Sequence, residues 1–448
     1  MARNWDPSTM KSTIKNITSS LVLCCLSSQV FASGFALLEN NVTNLGLAYS
    51  GTAALGEDVS TNFYNAAALS RIEKNQVVLG VNVIQGDFDF DARSSNVSLL
   101  PATPVPGSQS DDPGTVVPVP NFHLGARIDD NWVFGFSVTS PFGLKSDYDR
   151  DGIARYMATK SEVITLNFSP SISYQPWRCI SIGAGPDATW VKAKLEARVG
   201  TGNPVADGFQ KNNAQGWGYG WHAGILYEWR DTTRVGLNYR SKINVHADGP
   251  SEILPPFVPG TPFAGATMTL QEVSARVVLP ESITVSGYHE LNEKIALTAD
   301  VAWTNWSRFD ALSLRFTPGS ATGLDTTTIE QFKDTWRFAL GGIYTLNNCW
   351  SFKAGLAFDE TPTQDQTRTA RIPDEDRTWV AIGAAYTLNK CWRFDVGYAH
   401  LFFKDATIDE SAPNRSGAPF TLASQARLAG DYDSSANIVG IQMRYDFV

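Results

Sequence analysis

Four basic side chains are the residues of this sequence best suited to hold a carboxylate: Arg155, Arg337, Lys353 and Arg393. Arginine and lysine bind carboxylates through charge-assisted hydrogen bonds, and arginine can form two such bonds in parallel. Arg337, Lys353 and Arg393 alternate with apolar neighbours, so all three are expected on the polar face of a strand. These side chains could recognise an acid, although charges that share one interior also pair with one another.

Residue types that carry catalysis or bind metals are present but dispersed. The five histidines, at positions 123, 222, 246, 289 and 400, do not have the spacing of metal ligands. The sequence contains no evident nucleophile elbow or phosphate loop. A net charge of −9 gives no support for a nucleic-acid partner. We therefore predict no catalytic site, no metal and no cofactor, with a lipid-modifying outer-membrane enzyme kept as an alternative.

The elements that must position these residues are segments in which apolar and polar side chains alternate. This pattern is typical of strands whose two faces meet different surroundings, and we count about fourteen of them. They lie near residues 76–90, 118–128, 132–141, 156–175, 179–199, 216–229, 233–247, 267–289, 294–316, 331–345, 350–360, 377–388, 391–404 and 434–447.

The connections between these segments are of two kinds. Tight turns such as those within Tyr344 to Gly355 and Tyr386 to Gly397 place Asn beside Trp and Tyr. Long connections such as Thr361 to Asp376 are rich in Pro, Thr and Asp. One rim of tight turns and one of long loops is typical of an outer-membrane barrel. The sequence therefore predicts an all-β fold, a fourteen-stranded antiparallel transmembrane β-barrel over residues 73–448, in a Gram-negative outer membrane.

Residues 1–32 are predicted to be a signal peptide. Lys11 and Lys15 supply its positive region, Leu21 to Leu26 its apolar centre, and Val30 to Ala32 its small-residue cleavage site. Met10 could be the true start of translation. A lipoprotein signal is the less favoured alternative.

Cysteine usage fits an oxidising compartment. Cys24 and Cys25 would leave with the signal peptide, so Cys179, Cys349 and Cys391 remain in the mature chain. One disulfide is possible among the three, and one thiol must be left over.

The stretch before the first strand is apolar but irregular. Ser33 to Leu69 is rich in Gly, Ala and Asn and shows no sustained period of 2 or 3.6, so it cannot build a core alone. A wide barrel would supply the cavity that it needs. We predict that residues 33–72 form a hatch that plugs the lumen. Phe35, Leu37 and Leu38 could line a ligand pocket there or pack against the barrel wall.

A series of short motifs, in order along nearly the whole mature chain, resembles the FadL family of outer-membrane transporters of long-chain fatty acids and related hydrophobic compounds. In the hatch, Gly46, Tyr49, Ser50 and Gly51 and the run Asn65-Ala66-Ala67 resemble hatch motifs of the family. The family usually has proline where this chain has Ala66, which leaves the local backbone less fixed. The further motifs are Ser140 to Leu144, Asp147-Tyr148, Arg155-Tyr156, Gly216 to Trp221, Leu279-Pro280-Glu281, Phe332-Lys333-Asp334 and Arg371 to Asp374.

The resemblance implies a ligand route through the barrel wall. Ligand would be captured at the extracellular loops, where Arg155 lies, and would then reach a pocket against the hatch. It would leave sideways through a gap in a kinked third strand. Ser140, Pro141, Phe142 and Gly143 are the candidate gate, because Pro141 cannot donate to a ladder. The same four residues could equally be a strand end entering a loop.

Together these observations predict passive uptake of long-chain fatty acids or similar hydrophobic molecules. No energy source is needed, because an acyl chain gains about 0.8 kcal/mol for each methylene that it buries in the membrane. Aromatic hydrocarbons are the alternative substrate, and a general porin is a third possibility. The expected partners are the hydrophobic ligand, outer-membrane lipid and lipopolysaccharide, and the outer-membrane assembly machinery. We expect a monomer that binds no nucleic acid.

Overall fold

The computed structural model describes residues 34–97, 103–199, 206–254, 267–317, 325–411, 414–415 and 426–447. The predicted signal peptide and Ser33 lie outside these residues. Within the described part of the chain, no helix is both long enough and apolar enough to cross a membrane.

The fold is a closed antiparallel β-barrel of fourteen strands, several of which are interrupted, and this confirms the predicted fold class. The strands are β1 (Gln76–Val97), β2 (Val116–Arg127), β3 (Trp132–Thr139 and Gly143–Asp147), β4 (Lys160–Trp177), β5 (Ile180–Val199), β6 (Gly208–Arg230), β7 (Thr233–Arg240 and Ile243–Leu254), β8 (Thr269–Leu279 and Ser282–Asn292), β9 (Ile295–Thr304 and Ala311–Phe316), β10 (Thr326–Ile329 and Thr335–Thr345), β11 (Trp350–Asp359), β12 (Arg377–Thr387), β13 (Trp392–Phe403 and Ala406–Ser411) and β14 (Ala426–Asp446). Short pairings at Thr103–Pro104, Ser110–Asp111 and Asn414–Arg415 extend the sheet within the long loops.

The last strand closes the barrel on the first. Strands β1 and β14 pair from Gln76 opposite Asp446 to Val97 opposite Ala426. This long ladder leaves neither strand with an open edge, which is how a barrel avoids unpaired backbone groups in lipid.

Alternation along the strands divides the wall into two faces as predicted. On β10, Leu340 is 67% exposed on the outer face, whereas Arg337 is 7% exposed on the inner face. Lys353 on β11 and Asp395 on β13 are likewise buried in the interior. Charges at mid-depth on the lipid face would cost about 2–4 kcal/mol each, so the polar side chains of the strands lie within the lumen.

The rim of tight turns repeats one local structure. Asn347 accepts hydrogen bonds from the backbone N–H groups of Cys349 and Trp350 at 2.9 Å. Asn389 does the same for Cys391 and Trp392. The three cysteines at this rim, Cys179 included, carry free thiols, so the disulfide that the sequence permitted is not formed.

The strand boundaries differ from the predicted ones in two ways. Strands β6 and β14 begin at Gly208 and Ala426, earlier than predicted, because polar strand extensions beyond the membrane resemble loops in sequence. The predicted strand 267–289 is broken at Pro280 and Glu281, since proline has no N–H for the ladder. The predicted strands 233–247 and 294–316 are interrupted as well, at residues 241–242 and 305–310.

Residues 34–72, called the hatch segment here, lie inside the barrel. Their regular structure consists of two 3₁₀ turns, Leu45–Leu47 and Ala66–Arg71, and one helical turn, Thr61–Tyr64. All three elements are buried apart from Arg71, and the 3₁₀ turns pack against strands β4 to β6 and β10 to β13. The irregular sequence of this segment therefore finds its core in the barrel wall.

Candidate functional site

The hatch segment approaches the wall at positions that have no side chain. A Cβ added to Gly46 would lie 2.6 Å from the Cα of Gly383 on β12. A Cβ added to Gly355 on β11 would lie 2.1 Å from the carbonyl carbon of Leu47. The hatch backbone therefore lies directly on the wall at β11 and β12.

Tyr49, Ser50 and Gly51 continue this contact with polar bonds. The Tyr49 hydroxyl donates to the carbonyl of Asn41 at 3.0 Å. The Gly51 N–H donates to the Asp300 carboxylate at 2.6 Å, and Gly51 has a φ of 75°, which favours glycine. Ser50 Oγ lies 2.5 Å from Thr298 Oγ1 on β9.

Asn65 connects two parts of the hatch segment with the wall. Its Nδ2 donates to the carbonyls of Ala53 at 2.6 Å and Ile225 at 3.2 Å. Its Oδ1 accepts from the Ala67 N–H at 3.0 Å and so caps the following 3₁₀ turn. Ala66 and Ala67 lie against the backbone of Gly183 on β5.

Two of the predicted carboxylate-binding residues hold the hatch segment by an ion cluster. Lys353 Nζ lies 2.7 Å from the Glu57 carboxylate and 3.7 Å from that of Asp395. Arg393 also pairs with Glu57 and Asp395. Burial opposes ionisation of Glu57, but Arg393 and Lys353 outweigh it and hold the pKa of that carboxyl well below its usual value.

The other two predicted residues lie at different heights in the barrel. Arg155 is fully buried beneath the long loops, where its Nε is 3.0 Å from the Asp207 carboxylate. Arg337 donates to the carbonyl of Ala48 in the hatch segment and lines a cavity together with Leu37 and Leu38. The structure therefore does not bring the four basic residues together.

An apolar cavity, called the upper cavity here, lies between the hatch segment and the long loops. The free space among its lining residues, which includes space open to solvent, is about 890 Å³. Aliphatic side chains of β5 to β9 form most of its wall, and Phe35 and Phe309 close it towards the hatch. Two of the residues that line it, Arg371 and Glu330, can carry a charge.

Arg371 lies at the neck between the upper cavity and a smaller, more polar space beneath the long loops, and it lines both. Its guanidinium donates to Ser161 Oγ at 2.9 Å and to the carbonyls of Lys160 and Glu196 at 3.1 and 3.3 Å. A ligand that entered from the loops would pass this guanidinium first.

Phe35 lies at the centre of an aromatic cluster between two cavities. Its ring centroid is 4.8 Å from that of Trp306, 5.3 Å from that of Phe309 and 5.9 Å from that of Phe142. Such edge-to-face contacts favour one docked position of the ring. The preceding Gly34 N–H donates to Asp374 at 2.8 Å and fixes the chain there.

A second space, called the lower cavity here, lies on the hatch side of this cluster, and its free space, including space open to solvent, is about 980 Å³. Leu37, Leu38 and Arg337 line it, as do Pro141 and Phe142 between the two segments of β3. Phe35, Leu37, Leu38 and Arg337 are thus predicted ligand residues that contact a cavity, whereas Arg155, Lys353 and Arg393 line neither cavity.

Strand β3 is interrupted beside the lower cavity. It pairs with β2 only as far as Val138, opposite Phe122. Beyond this point, residues 116–121 of β2 pair with β1, and the described residues show no ladder between them and β3. Ser140, Pro141 and Phe142 belong to neither segment of β3, and pairing with β4 resumes at Gly143.

The hatch segment bonds to this interruption. Leu37 N–H donates to the Pro141 carbonyl at 2.8 Å, and Gly143 N–H donates to the Phe35 carbonyl at 2.7 Å. Ser140 N–H donates to the Asn40 side chain at 3.0 Å. The gap between β2 and β3 is therefore bounded by hatch backbone.

A buried serine, histidine and aspartate also meet in the wall. Ser171 Oγ lies 2.8 Å from His222 Nε2, and His222 Nδ1 lies 3.0 Å from Asp187 Oδ2. Asp187 also accepts from Arg240, which donates to the Phe63 carbonyl in the hatch segment. Ser171, His222 and Asp187 line neither the upper nor the lower cavity, so this network ties wall to hatch.

Sequence reasoning missed Arg371 and Glu330 as ligand-facing residues. Arg371 belongs to the motif Arg371 to Asp374, but that motif does not show that its side chain lines a cavity together with apolar residues of β5 to β9. Glu330 lies between the two segments of β10, where only the fold places it beside Arg371.

Comparisons with known proteins agree with this architecture. A family model described as outer membrane protein transport protein (OMPP1/FadL/TodX) matches residues 23–447. A long-chain fatty acid transport protein of Escherichia coli O6:H1 is 30% identical over 429 residues, covering 89% of this chain and 90% of that protein.

Solved structures resemble the fold closely. A FadL homologue of Pseudomonas aeruginosa aligns with a TM-score of 0.81 at 23% identity, covering 93% of this chain and all of that one. A toluene transporter of Pseudomonas putida, TodX, aligns with a TM-score of 0.68 at 16% identity, covering 90% and 97% of the two chains. The chain therefore belongs to the OMPP1/FadL/TodX family of transport proteins, which places it in the Gram-negative outer membrane as a transporter of hydrophobic compounds.

Proposed function

We propose that the protein takes up long-chain fatty acids or similar hydrophobic molecules passively and releases them sideways into the membrane. The observation that carries this proposal is the series of spaces in the lumen. The polar space beneath the loops leads past Arg371 to the upper cavity, and the lower cavity ends at the interrupted part of β3.

The walls of the upper cavity favour an aliphatic acid. Side chains such as Val191, Val245 and Leu279 offer no polar partner to a ligand, so they suit an acyl chain. Arg371 at the neck suits the carboxylate at the end of that chain. Aromatic hydrocarbons remain the second candidate, since Phe35 and Phe309 present ring faces to the same space.

The contacts of the hatch segment support a sideways exit over a straight one. A straight exit would break bonds from the hatch segment to Asp300, Lys353 and the Ile225 carbonyl, among others. A sideways exit needs movement only of residues 35–37 and 140–143, which are joined by a few backbone bonds. Each hydrogen bond contributes a net of about 1 kcal/mol to stability, so the sideways path, which breaks fewer of these bonds, is the easier one.

Within this proposal, residues 33–72 act as the hatch, and residues 73–448 form the barrel. Gly46, Tyr49, Ser50, Gly51, Asn65, Ala66 and Ala67 hold the hatch in place. Ser140, Pro141, Phe142 and Gly143 form the lateral gate. The barrel works as a monomer surrounded by lipid and lipopolysaccharide, after insertion by the outer-membrane assembly machinery.

Uptake by cells tests the function. Labelled oleate and labelled toluene are offered to a strain lacking the gene and to the same strain carrying it. Faster oleate entry in the complemented strain is the expected result, and equal entry of both compounds in both strains would contradict transport. Large steady conductance of the purified protein in planar bilayers would favour a general porin.

A further inference from the structure

Two buried carboxyl groups lie near Arg371 at the neck of the upper cavity. Glu330 lines the cavity and is 1% exposed, and its Oε2 has no hydrogen-bond partner among the described residues. Glu410 of β13 is 7% exposed and accepts from the Ala370 N–H at 2.7 Å. A buried carboxyl oxygen without a partner at a cavity wall indicates that a ligand or a proton satisfies it.

The Arg371 guanidinium is bonded only to neutral groups, namely two backbone carbonyls and the Ser161 hydroxyl. No carboxylate lies within ion-pair distance of it in the part of the chain that the structure describes. Its charge is therefore available to an anion in the cavity, provided that the two acids nearby do not cancel it.

We infer that Glu330 is a specificity-determining residue: in its protonated form it donates a hydrogen bond to the ligand's carboxylate beside Arg371. This inference rests on the proposed function, because it concerns the same cavity and the same class of ligand. With both acids protonated the cluster carries one positive charge, and with both ionised it carries one negative charge. An anionic head group is attracted in the first state and repelled in the second.

The net effect of the surroundings of Glu330 is to favour its protonated form. Burial raises the pKa of Glu330 well above its usual value, Glu410 raises it further, and Arg371 lowers it. Burial lowers the pKa of Arg371, against the influence of Glu410, Glu330 and Tyr148. As the pH rises, Glu330 loses its proton, and affinity for the acid should fall.

The test compares an acid with an alcohol that has the same tail. Binding of radiolabelled oleate and of oleyl alcohol to the purified protein in amphipol is measured at about pH 5.5 and about pH 8. The variants are Glu330→Gln, whose amide donates at every pH, and Glu330→Met, which cannot donate. Glu293→Gln, at an exposed position in a tight turn, is the matched control. Heat-modifiability on gels verifies that each barrel is folded.

The wild type and Glu293→Gln should bind oleate about tenfold more weakly at the higher pH, a change that corresponds to about 1.4 kcal/mol. The affinity of Glu330→Gln for oleate should differ less than about twofold between the two pH values. Glu330→Met should bind oleate weakly at both pH values. Binding of oleyl alcohol should change neither with pH nor with these substitutions. The same oleate profile in Glu330→Gln as in Glu293→Gln would overturn the role of Glu330 alone. Failure of the wild type to bind either ligand would overturn the proposed function as well.

Discussion

Leu37 donates its backbone N–H to the carbonyl oxygen of Pro141 across 2.8 Å, so the hatch segment is hydrogen-bonded to β3 where this strand has left β2. Pro141 has no N–H to return the bond, and Gly143 supplies the second bond to Phe35 instead. The start of the hatch segment is therefore joined to the edge of the gap by two backbone hydrogen bonds, which must break before the two can separate.

A disulfide between positions 36 and 142 should lock this contact. Ala36 and Phe142 form an antiparallel bridge in which the flanking residues carry the hydrogen bonds. Pairs of this kind bring Cα atoms to about 4.5 Å, within the range that a disulfide spans. In a background where Cys179, Cys349 and Cys391 are serine, oxidised Ala36→Cys/Phe142→Cys should lose most oleate uptake, and reduction should restore it.

Each single cysteine variant serves as a control, since it carries the same side-chain loss without the link. Loss of uptake in the single variants would indicate damage to the aromatic cluster rather than locking. An oxidised double variant that transports as fast as its reduced form would exclude the gap between β2 and β3 as the exit.

The fold could be predicted because its signals are local. Alternation places Leu340 outside and Arg337 inside, and an Asn such as Asn347 before a Trp marks a tight turn. The proposed division into hatch and barrel rests on the lack of any such period before residue 73. These patterns depend on the nearest neighbours in sequence.

The candidate site could not be predicted to the same extent, because its contacts join distant parts of the chain. Lys353 looked like a ligand for a carboxylate, and it binds one, but that carboxylate belongs to Glu57 in the hatch segment. Arg371 lies in the connection after β11 and Glu330 between the segments of β10, and only the fold makes them line the same cavity. Strand pairing specifies which faces are polar, not which polar groups meet.

Asn65→Ala should loosen the hatch segment without disturbing the barrel. The substitution removes the bonds to Ala53, Ile225 and Ala67, which together contribute about 2–3 kcal/mol. Hydrogen exchange of the amides in residues 45–71 should accelerate, whereas exchange of the strands should not change. Asn65→Asp places a buried carboxylate against the carbonyls of Ala53 and Ile225, so it should accelerate exchange at least as much. Unchanged exchange in Asn65→Ala would contradict the role assigned to this side chain.

Lys353→Met should open the barrel to ions more than it affects binding of oleate. Lys353 bonds to Glu57 and to the Thr43 carbonyl, so its loss leaves a buried carboxylate with one partner fewer. Breaking a buried ion pair costs about 3–5 kcal/mol when one charge remains. Planar-bilayer conductance should increase, and oleate affinity should stay within about twofold.

The double variant Glu57→Gln/Lys353→Met removes both charges and should conduct less than the single variant. If Lys353→Met instead weakened oleate binding at unchanged conductance, Lys353 would have to contact the ligand directly.

Ala66→Pro should be tolerated and should stabilise the hatch segment slightly. Asn65 has an extended backbone, with φ −162° and ψ 104°, which the residue before a proline requires. Ala66 is the first residue of its 3₁₀ turn, where proline is well accommodated. The gain should be about 0.4–1 kcal/mol, because proline restricts the unfolded chain. Ala67→Pro is the matched control, since it removes the N–H that Asn65 Oδ1 accepts. Exchange in residues 45–71 should therefore slow in Ala66→Pro and accelerate in Ala67→Pro, with oleate uptake retained only in the former. Equal acceleration in both variants would show that the backbone at Ala66 cannot accept the proline ring.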